Sequence, residues 1–227
     1  MTPRNVVRPA AAGALCFAFT CAGAEMATAQ TNTEDPTATA TAAQKPRIKV
    51  GHSALDVRSG KRAAVLGRVA PAAPGLRVTL QVKRKSRWRG IDADRTDARG
   101  RYRLRERLHG TLSRRARVRV RPAPGFVAQQ RRLGRLNVYR HALASWYGPG
   151  LYGNSTGCGG TLVPGRLGVA HKTLPCGTKL TLKHRGRRVR VRVIDRGPYV
   201  GGREYDLTEA TAQRLRFRGH GPILTTR

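Results

Sequence analysis

The sequence predicts an all-β protein built as two modules in tandem. Three observations carry that reading. Apolar residues recur at a spacing of two through most of the chain, Gly and Pro interrupt these segments about every ten residues, and a single stretch has helical spacing. The 227 residues suffice for one or two domains, and 39% hydrophobic content with 5% aromatic content suits small β modules. Lys and Arg total 45 against 12 Asp and Glu, a formal net charge of +33. No apolar run reaches the roughly 18 residues of a spanning helix, so an integral membrane protein is not expected. P-loop, dinucleotide glycine fingerprint and zinc-type Cys/His cluster are all missing, which excludes a P-loop NTPase, a Rossmann dehydrogenase and a zinc finger. No cofactor and no metal is expected.

Residues 1–29 read as an export signal. Arg4 and Arg8 precede the apolar stretch Ala10 to Ala24, and Ala27-Thr28-Ala29 supplies the small-residue cleavage pattern. Cys21 is a poor lipid acceptor because Ala18-Phe19-Thr20 before it is a weak lipobox, so plain secretion is the expectation. Residues 30–46 alternate Thr and Ala with no bulky apolar side chain. Such a segment buries too little surface to offset its ordering entropy, and a flexible linker is predicted.

Residues 47–140 form the first predicted module. Ile48 and Val50 alternate, as do Val78, Leu80 and Val82, and Val118 and Val120. Tyr102 and Leu104 follow the turn Asp97-Ala98-Arg99-Gly100, and Leu136 and Val138 close the stretch. Short alternating strands with such breaks predict an antiparallel, Ig-like β-sandwich, with Arg on most outward positions. Asp92 and Asp94 sit at strand spacing and read as surface residues rather than calcium ligands. Residues 142–227 form the second module. Leu180 and Leu182, the turn Arg185-Gly186-Arg187, and Val189, Val191 and Val193 predict a hairpin. Leu207, Ala210, Thr211 and Leu215 share one helical face, and Asp206 to Glu209 has capping-box spacing, so a short helix is predicted over 207–217. A last strand should cover Pro222 to Thr225.

Loss of residues 1–29 would remove Cys16 and Cys21 and leave Cys158 and Cys176. Outside the reducing cytosol two cysteines most simply form one disulfide. The rival reading, a catalytic cysteine beside His171, requires a free thiol that export would oxidise.

Four segments of the second module follow one another in order: ASWYGPGLYGN (144–154), GVAHKTLPCGTKL (168–180), VRVIDRGPYVGGREYDLT (191–208) and ATAQRL (210–215). They resemble the double-psi β-barrel domain of rare lipoprotein A (RlpA)-type proteins, some of which are lytic transglycosylases. The resemblance covers nearly all of 142–227 and none of 47–140. It implies a six-stranded double-psi β-barrel with a short helix, a polysaccharide groove across it, and peptidoglycan or another cell-wall polysaccharide as partner. Expansins and some endoglucanases are wider relatives of that fold. The implied chemistry is attack by the sugar's own 6-hydroxyl on the glycosidic bond, for which one group that donates and then accepts a proton suffices. The alternative is an expansin-like module that binds or loosens glycan without cleaving it.

The acids of the second module are Asp195, Glu204, Asp206 and Glu209. Asp195 ends an apolar strand and opens Arg196-Gly197-Pro198. It reads either as a proton-transfer carboxylate or as the first residue of a tight turn. Asp206 corresponds by position to the acid in the HFDL-like stretch of the expansin and endoglucanase relatives, and reads equally as a helix N-cap. His171, from the AHKTLP segment, can donate or accept a proton near neutrality. Asp195, Asp206 and His171 are the expected catalytic set. Ser145, Trp146, Tyr147, Tyr199 and Arg196 are expected to bind substrate, the aromatic rings suiting the C–H faces of sugars. One departure stands out. The family commonly carries Gly-Glu, then Asp three residues on, ahead of the AH segment; here the two acid positions are Gly160 and Val163.

The charge points to polyanionic surroundings. Anionic wall polymers fit an exported chain, and no specific nucleic acid is expected, since no recognition helix or stacked aromatic pair is present.

Overall fold

The structure, a computed structural model, describes residues 42–227; the expected export signal and most of the expected linker lie outside the described residues. Thirteen strands and one short helix make up the described residues. At the end of the expected linker Gln44 is bridged to Phe126, its N–H bonding the Gly125 carbonyl at 2.8 Å.

Strands β1 (Arg47–Ala54), β3 (Arg62–Ala70) and β6 (Arg101–Arg107) form an antiparallel three-stranded sheet. Strands β4 (Arg77–Arg84), β5 (Arg87–Arg95), β7 (Leu112–Val120) and the first half of β8 (Gln129–Tyr147) form a second, in the order β5-β4-β7-β8, with β2 (Asp56–Arg58) alongside β8. One apolar core joins the two: Val65, Val69, Tyr102 and Leu104 from the first meet Val78, Leu80, Val118, Val120, Leu136 and Val138 from the second. The period of two in the sequence is the cause, because alternate residues of a strand point to opposite faces. Strand β5 stitches the sheets along one edge. Its Asp94 and Asp92 carboxylates accept the backbone N–H groups of Arg103 at 2.7 Å and Arg105 at 2.6 Å on β6.

Strand β8 runs for 19 residues without a break and passes straight through the position where the sequence places a boundary between modules. Its first part pairs with β7 and β2; from Arg140 onward it pairs with β13 (Gly221–Thr225). The second half of β8 joins β9 (Val169–Ala170), β10 (Lys179–His184), β11 (Arg187–Asp195), β12 (Tyr205–Thr208) and β13 in the order β12-β9-β11-β10-β13-β8. Since β12 also pairs with β8, in parallel, the six strands close on themselves. A second core of Val169, Leu180, Leu182, Val193, Tyr205, Leu207 and Leu215 fills the barrel.

The expected hairpin is β10–β11, turned by Arg185 and Gly186, both at positive φ, as a two-residue hairpin turn requires. The expected last strand is β13. The helix is corrected. Helix α1 spans Glu209–Leu215 and its N-cap is Thr208, whose side chain accepts from the Thr211 N–H. Asp206 and Leu207 instead lie in β12, where backbone pairing with β8 on one side and β9 on the other outweighs the local capping pattern.

A polar seam ties the two halves of residues 42–227 together. Asp56 on β2 accepts from Asn137 Nδ2 at 2.7 Å and Tyr139 OH at 3.0 Å, and pairs with Arg188 on β11. Burial alone would raise the Asp56 pKa, but these three donors together hold it below the ordinary carboxylate value. Ser113 Oγ on β7 lies 3.1 Å from Thr181 Oγ1 on β10.

Candidate functional site

Strand order places two carboxylates either side of one small residue. Ala170 on β9 is the register partner of Asp195 on β11 and of Asp206 on β12. The two aspartate Cα atoms are therefore two strand spacings apart, roughly 10 Å. Both side chains, with Ala170 between them, line a cleft of about 290 Å³ completed by Tyr147 of β8, the 154–156 loop and the 196–200 turn. Ala170 contributes only a methyl group, so the floor of the cleft stays open between the acids.

The two acids have different surroundings. Three donors converge on Asp195: Gly157 N–H at 2.7 Å, Arg196 N–H at 2.8 Å and Tyr147 OH at 3.1 Å. The Gly157 contact depends on glycine, because a Cβ there would lie 2.8 Å from Arg196 Cγ. Asp206 has one close donor, Ser145 Oγ at 2.8 Å. Burial raises the Asp206 pKa above its ordinary value; the Ser145 bond and Arg203 offset part of the rise, and the charge of Asp195 adds to it. Burial, together with the adjacent Asp195, also raises the Tyr147 pKa, which keeps its hydroxyl a donor.

Alternation along β8 sorts the expected substrate-binding residues. Tyr147 lines the cleft and Ser145, buried, holds Asp206 from behind. Trp146 between them points to the other face, into a separate groove beside α1 with Gln213, Arg216 and Phe217. It is thus not brought to the aspartates. Tyr199, 82% exposed, stands on the cleft rim. Arg196 contributes to the cleft wall, but its guanidinium turns away to the carbonyls of His171 at 3.1 Å and Leu174 at 2.8 Å and to Cys176 Sγ at 2.9 Å. It serves as a clamp.

His171 is also placed differently from expectation. It follows Ala170 and does not line the cleft. Its Nδ1 accepts the backbone N–H groups of Thr173 at 3.1 Å and Leu174 at 3.0 Å, and its Nε2 faces Glu204 Oε1 at 3.5 Å. Both ring nitrogens are engaged inside the protein, and the ring packs 4.9 Å from that of Tyr205. Burial leads the forces that lower its pKa, outweighing the pull of Glu204. Glu204 itself is held by Arg140 of β8, one contact measuring 2.8 Å, and its pKa lies below the ordinary value although burial opposes the shift. The Arg140–Glu204–His171 chain thus braces the turn that follows β9.

Cys158 and Cys176 form the expected disulfide, with Cα atoms 5.5 Å apart. The bridge sits next to Gly157, the donor to Asp195. Val163 and Gly160 are both exposed, and neither residue type supplies a carboxylate to the cleft. Sequence reasoning missed the 154–157 loop and Arg203. The hydrogen-bonding run Asn154-Ser155-Thr156-Gly157 was the available signal for the loop.

Residues 140–224 match the family model described as lytic transglycolase. They form an RlpA-like double-psi β-barrel domain. The endolytic peptidoglycan transglycosylase RlpA of Campylobacter jejuni is 47% identical to the chain over 75 residues, 32% of this chain and 27% of that protein. The RlpA of Yersinia pestis is 44% identical over 89 residues, 38% of this chain and 25% of that protein. The crystal structure of apo Clavibacter michiganensis expansin aligns with 38% of this chain and 48% of its own, at 26% identity and a TM-score of 0.32. The matches to the first relatives span only about a quarter to two fifths of their lengths. The RlpA-like domain thus comprises the closed barrel with its cleft, and the β1–β7 region lies outside the family match. No helix among the described residues is long and apolar enough to cross a membrane.

Proposed function

We propose that the cleft of the RlpA-like domain binds peptidoglycan glycan strands and cleaves them by lytic transglycosylation. The observation that carries this reading is the pair Asp195 and Asp206 flanking Ala170, one surrounded by donors and the other raised in pKa. In the proposed step Asp206 gives its proton to the glycosidic oxygen as the C1–O bond breaks. The 6-hydroxyl of the same sugar attacks C1, closing a 1,6-anhydro ring, and its proton returns to Asp206. No water is consumed. Asp195, an acceptor oriented by Gly157, Arg196 and Tyr147, faces the positive charge that develops at C1. His171 acts as a positioning residue through the turn it caps, rather than as a proton donor.

A second reading, glycan binding or wall loosening without cleavage, is favoured by one observation, the absence of carboxylates at Gly160 and Val163. Digestion of purified peptidoglycan with product mass spectrometry separates the two. Anhydro-muropeptides that vanish in Asp206→Asn and in Asp195→Asn support cleavage. Co-sedimentation with intact glycan and no product supports binding alone.

We further infer an exported, wall-associated protein whose residues 1–29 are removed and whose residues 47–140 form an Ig-like sandwich that serves as a spacer or targeting module. The shared core of its two sheets supports the sandwich, and the Cys158–Cys176 bridge supports an oxidising location.

A further inference from the structure

The outward face of the sheet β5-β4-β7-β8 is cationic, and the partners its guanidinium groups find there are neutral: Arg117 donates to Gln81 Oε1 at 2.8 Å and to Gln130, and Arg135 donates to Ser113 Oγ at 2.9 Å. Cross-strand neighbours on it repeat the same charge: Arg115 faces Arg135, Arg117 faces Arg132, and Arg77 faces Arg95. Like charges directly opposite on a sheet destabilise it. No carboxylate sits among them: Asp92 and Asp94 of β5 point to the other side, toward the β6 backbone, and Asp56 at the far end is engaged by Asn137, Tyr139 and Arg188. The row continues onto the barrel. Arg190 of β11 reaches Ser113 Oγ on β7 at 3.5 Å, the same oxygen that Arg135 Nε of β8 reaches at 2.9 Å, and Arg192 follows on the same face of β11. A continuous guanidinium track therefore runs from Arg119 through Arg117 and Arg132, then Arg115 and Arg135, to Arg190 and Arg192, crossing the polar seam.

We propose that this track binds a linear, carboxylate-bearing polysaccharide alongside the barrel. Repeated self-repulsion within a folded protein is compensated when the charges meet an external polyanion, and guanidinium forks match carboxylates in two-point contact. Nucleic acid is a poorer fit. Single strands need stacked aromatic platforms, whereas the lone indole on this face, Trp88, is covered by the Arg117 guanidinium 4.1 Å from its ring centroid. Only the glycan nature of the polymer rests on the proposed function of the cleft; the track itself does not.

The test measures binding of the full chain to polygalacturonate and to a 30-residue single-stranded DNA across a salt series. One variant removes four track charges (Arg115→Gln, Arg119→Gln, Arg132→Gln and Arg192→Gln). A control removes four scattered exposed charges (Arg84→Gln, Arg99→Gln, Arg185→Gln and Arg214→Gln), with thermal melting to confirm that both fold. The expected result is polygalacturonate affinity at least tenfold weaker at low salt and a shallower salt dependence in the track variant, with less than a twofold change in the control. Equal loss in both variants, or tighter track-dependent binding of DNA at the same salt, overturns the proposal. Asp195→Asn and Asp206→Asn should leave this binding unchanged, so failure of the track and failure of the cleft are read independently.

Discussion

Removing the Cys158–Cys176 bridge by Cys158→Ser with Cys176→Ser tests how the loop beside Asp195 is held. The cysteines are 18 positions apart, and opening a loop of that size restores unfolded-state entropy worth roughly 3 kcal/mol. For a chain of this length each kcal/mol moves the melting temperature by about 2–4 °C, so a fall of roughly 6–12 °C is expected by calorimetry on unreduced protein. Activity should suffer less. The loop keeps Thr156 N–H to Gly160 O and Gly159 N–H to Thr156 O, each at 2.8 Å, and Gly153 N–H to Leu162 O at 2.9 Å. These bonds leave the Gly157 N–H aimed at Asp195, so anhydro-product formation at 25 °C should stay within about tenfold of the parent. A melting change below about 2 °C would refute the entropic argument. Lost activity in a protein still folded at 25 °C would refute the claim that the loop's own bonds orient Gly157.

Asp206→Asn should reduce anhydro-product formation by about 100-fold or more, the usual contribution of a general acid–base group, in a discontinuous muropeptide assay. The same change should raise the melting temperature at pH 7. A carboxyl whose folded pKa is raised contributes stability below its unfolded value near 3.8, and that stability is lost as pH rises through the folded value, so the parent carries a penalty at neutrality that the amide does not. Glu204→Gln should cost about 1–2 kcal/mol in denaturant titration, because Arg140 and His171 lose a charged partner. Acidification should destabilise the parent through His171. Its lowered folded pKa gives stability that is full above the unfolded value of 6.5 and lost as pH falls through the folded one, and His171→Gln should flatten that part of the melting profile.

Much of the architecture was legible because strand alternation is a local signal. The valines of β4 and β7, the β10–β11 hairpin and β13 lie where their spacing places them. Strand β5 was not legible, because its inward positions carry Asp92 and Asp94, which bond the β6 backbone where an apolar pattern would be sought. Strand β2, three residues long, is too short to show a period. At the site, Asp195 and Asp206 were recoverable from the motif, yet their pairing across Ala170 depends on β9 entering between β11 and β12, a long-range event. The helix start was misplaced for the same reason, since strand pairing claimed Asp206 before capping could. His171 and Trp146 were drawn toward the cleft by sequence adjacency, but successive strand residues face opposite ways, and one step along β8 or past β9 changes sides.

The unbroken course of β8 gives the protein a property of a measuring instrument. Its nineteen residues, bulged at Gly134, span at most about 65 Å, stiffened by pairing with β7 and β2 at one end and β12 and β13 at the other. A hinge at this junction would have let each end search independently. A shared spine instead works like a caliper, fixing the distance between the barrel cleft and the far end of the β1–β7 sheets.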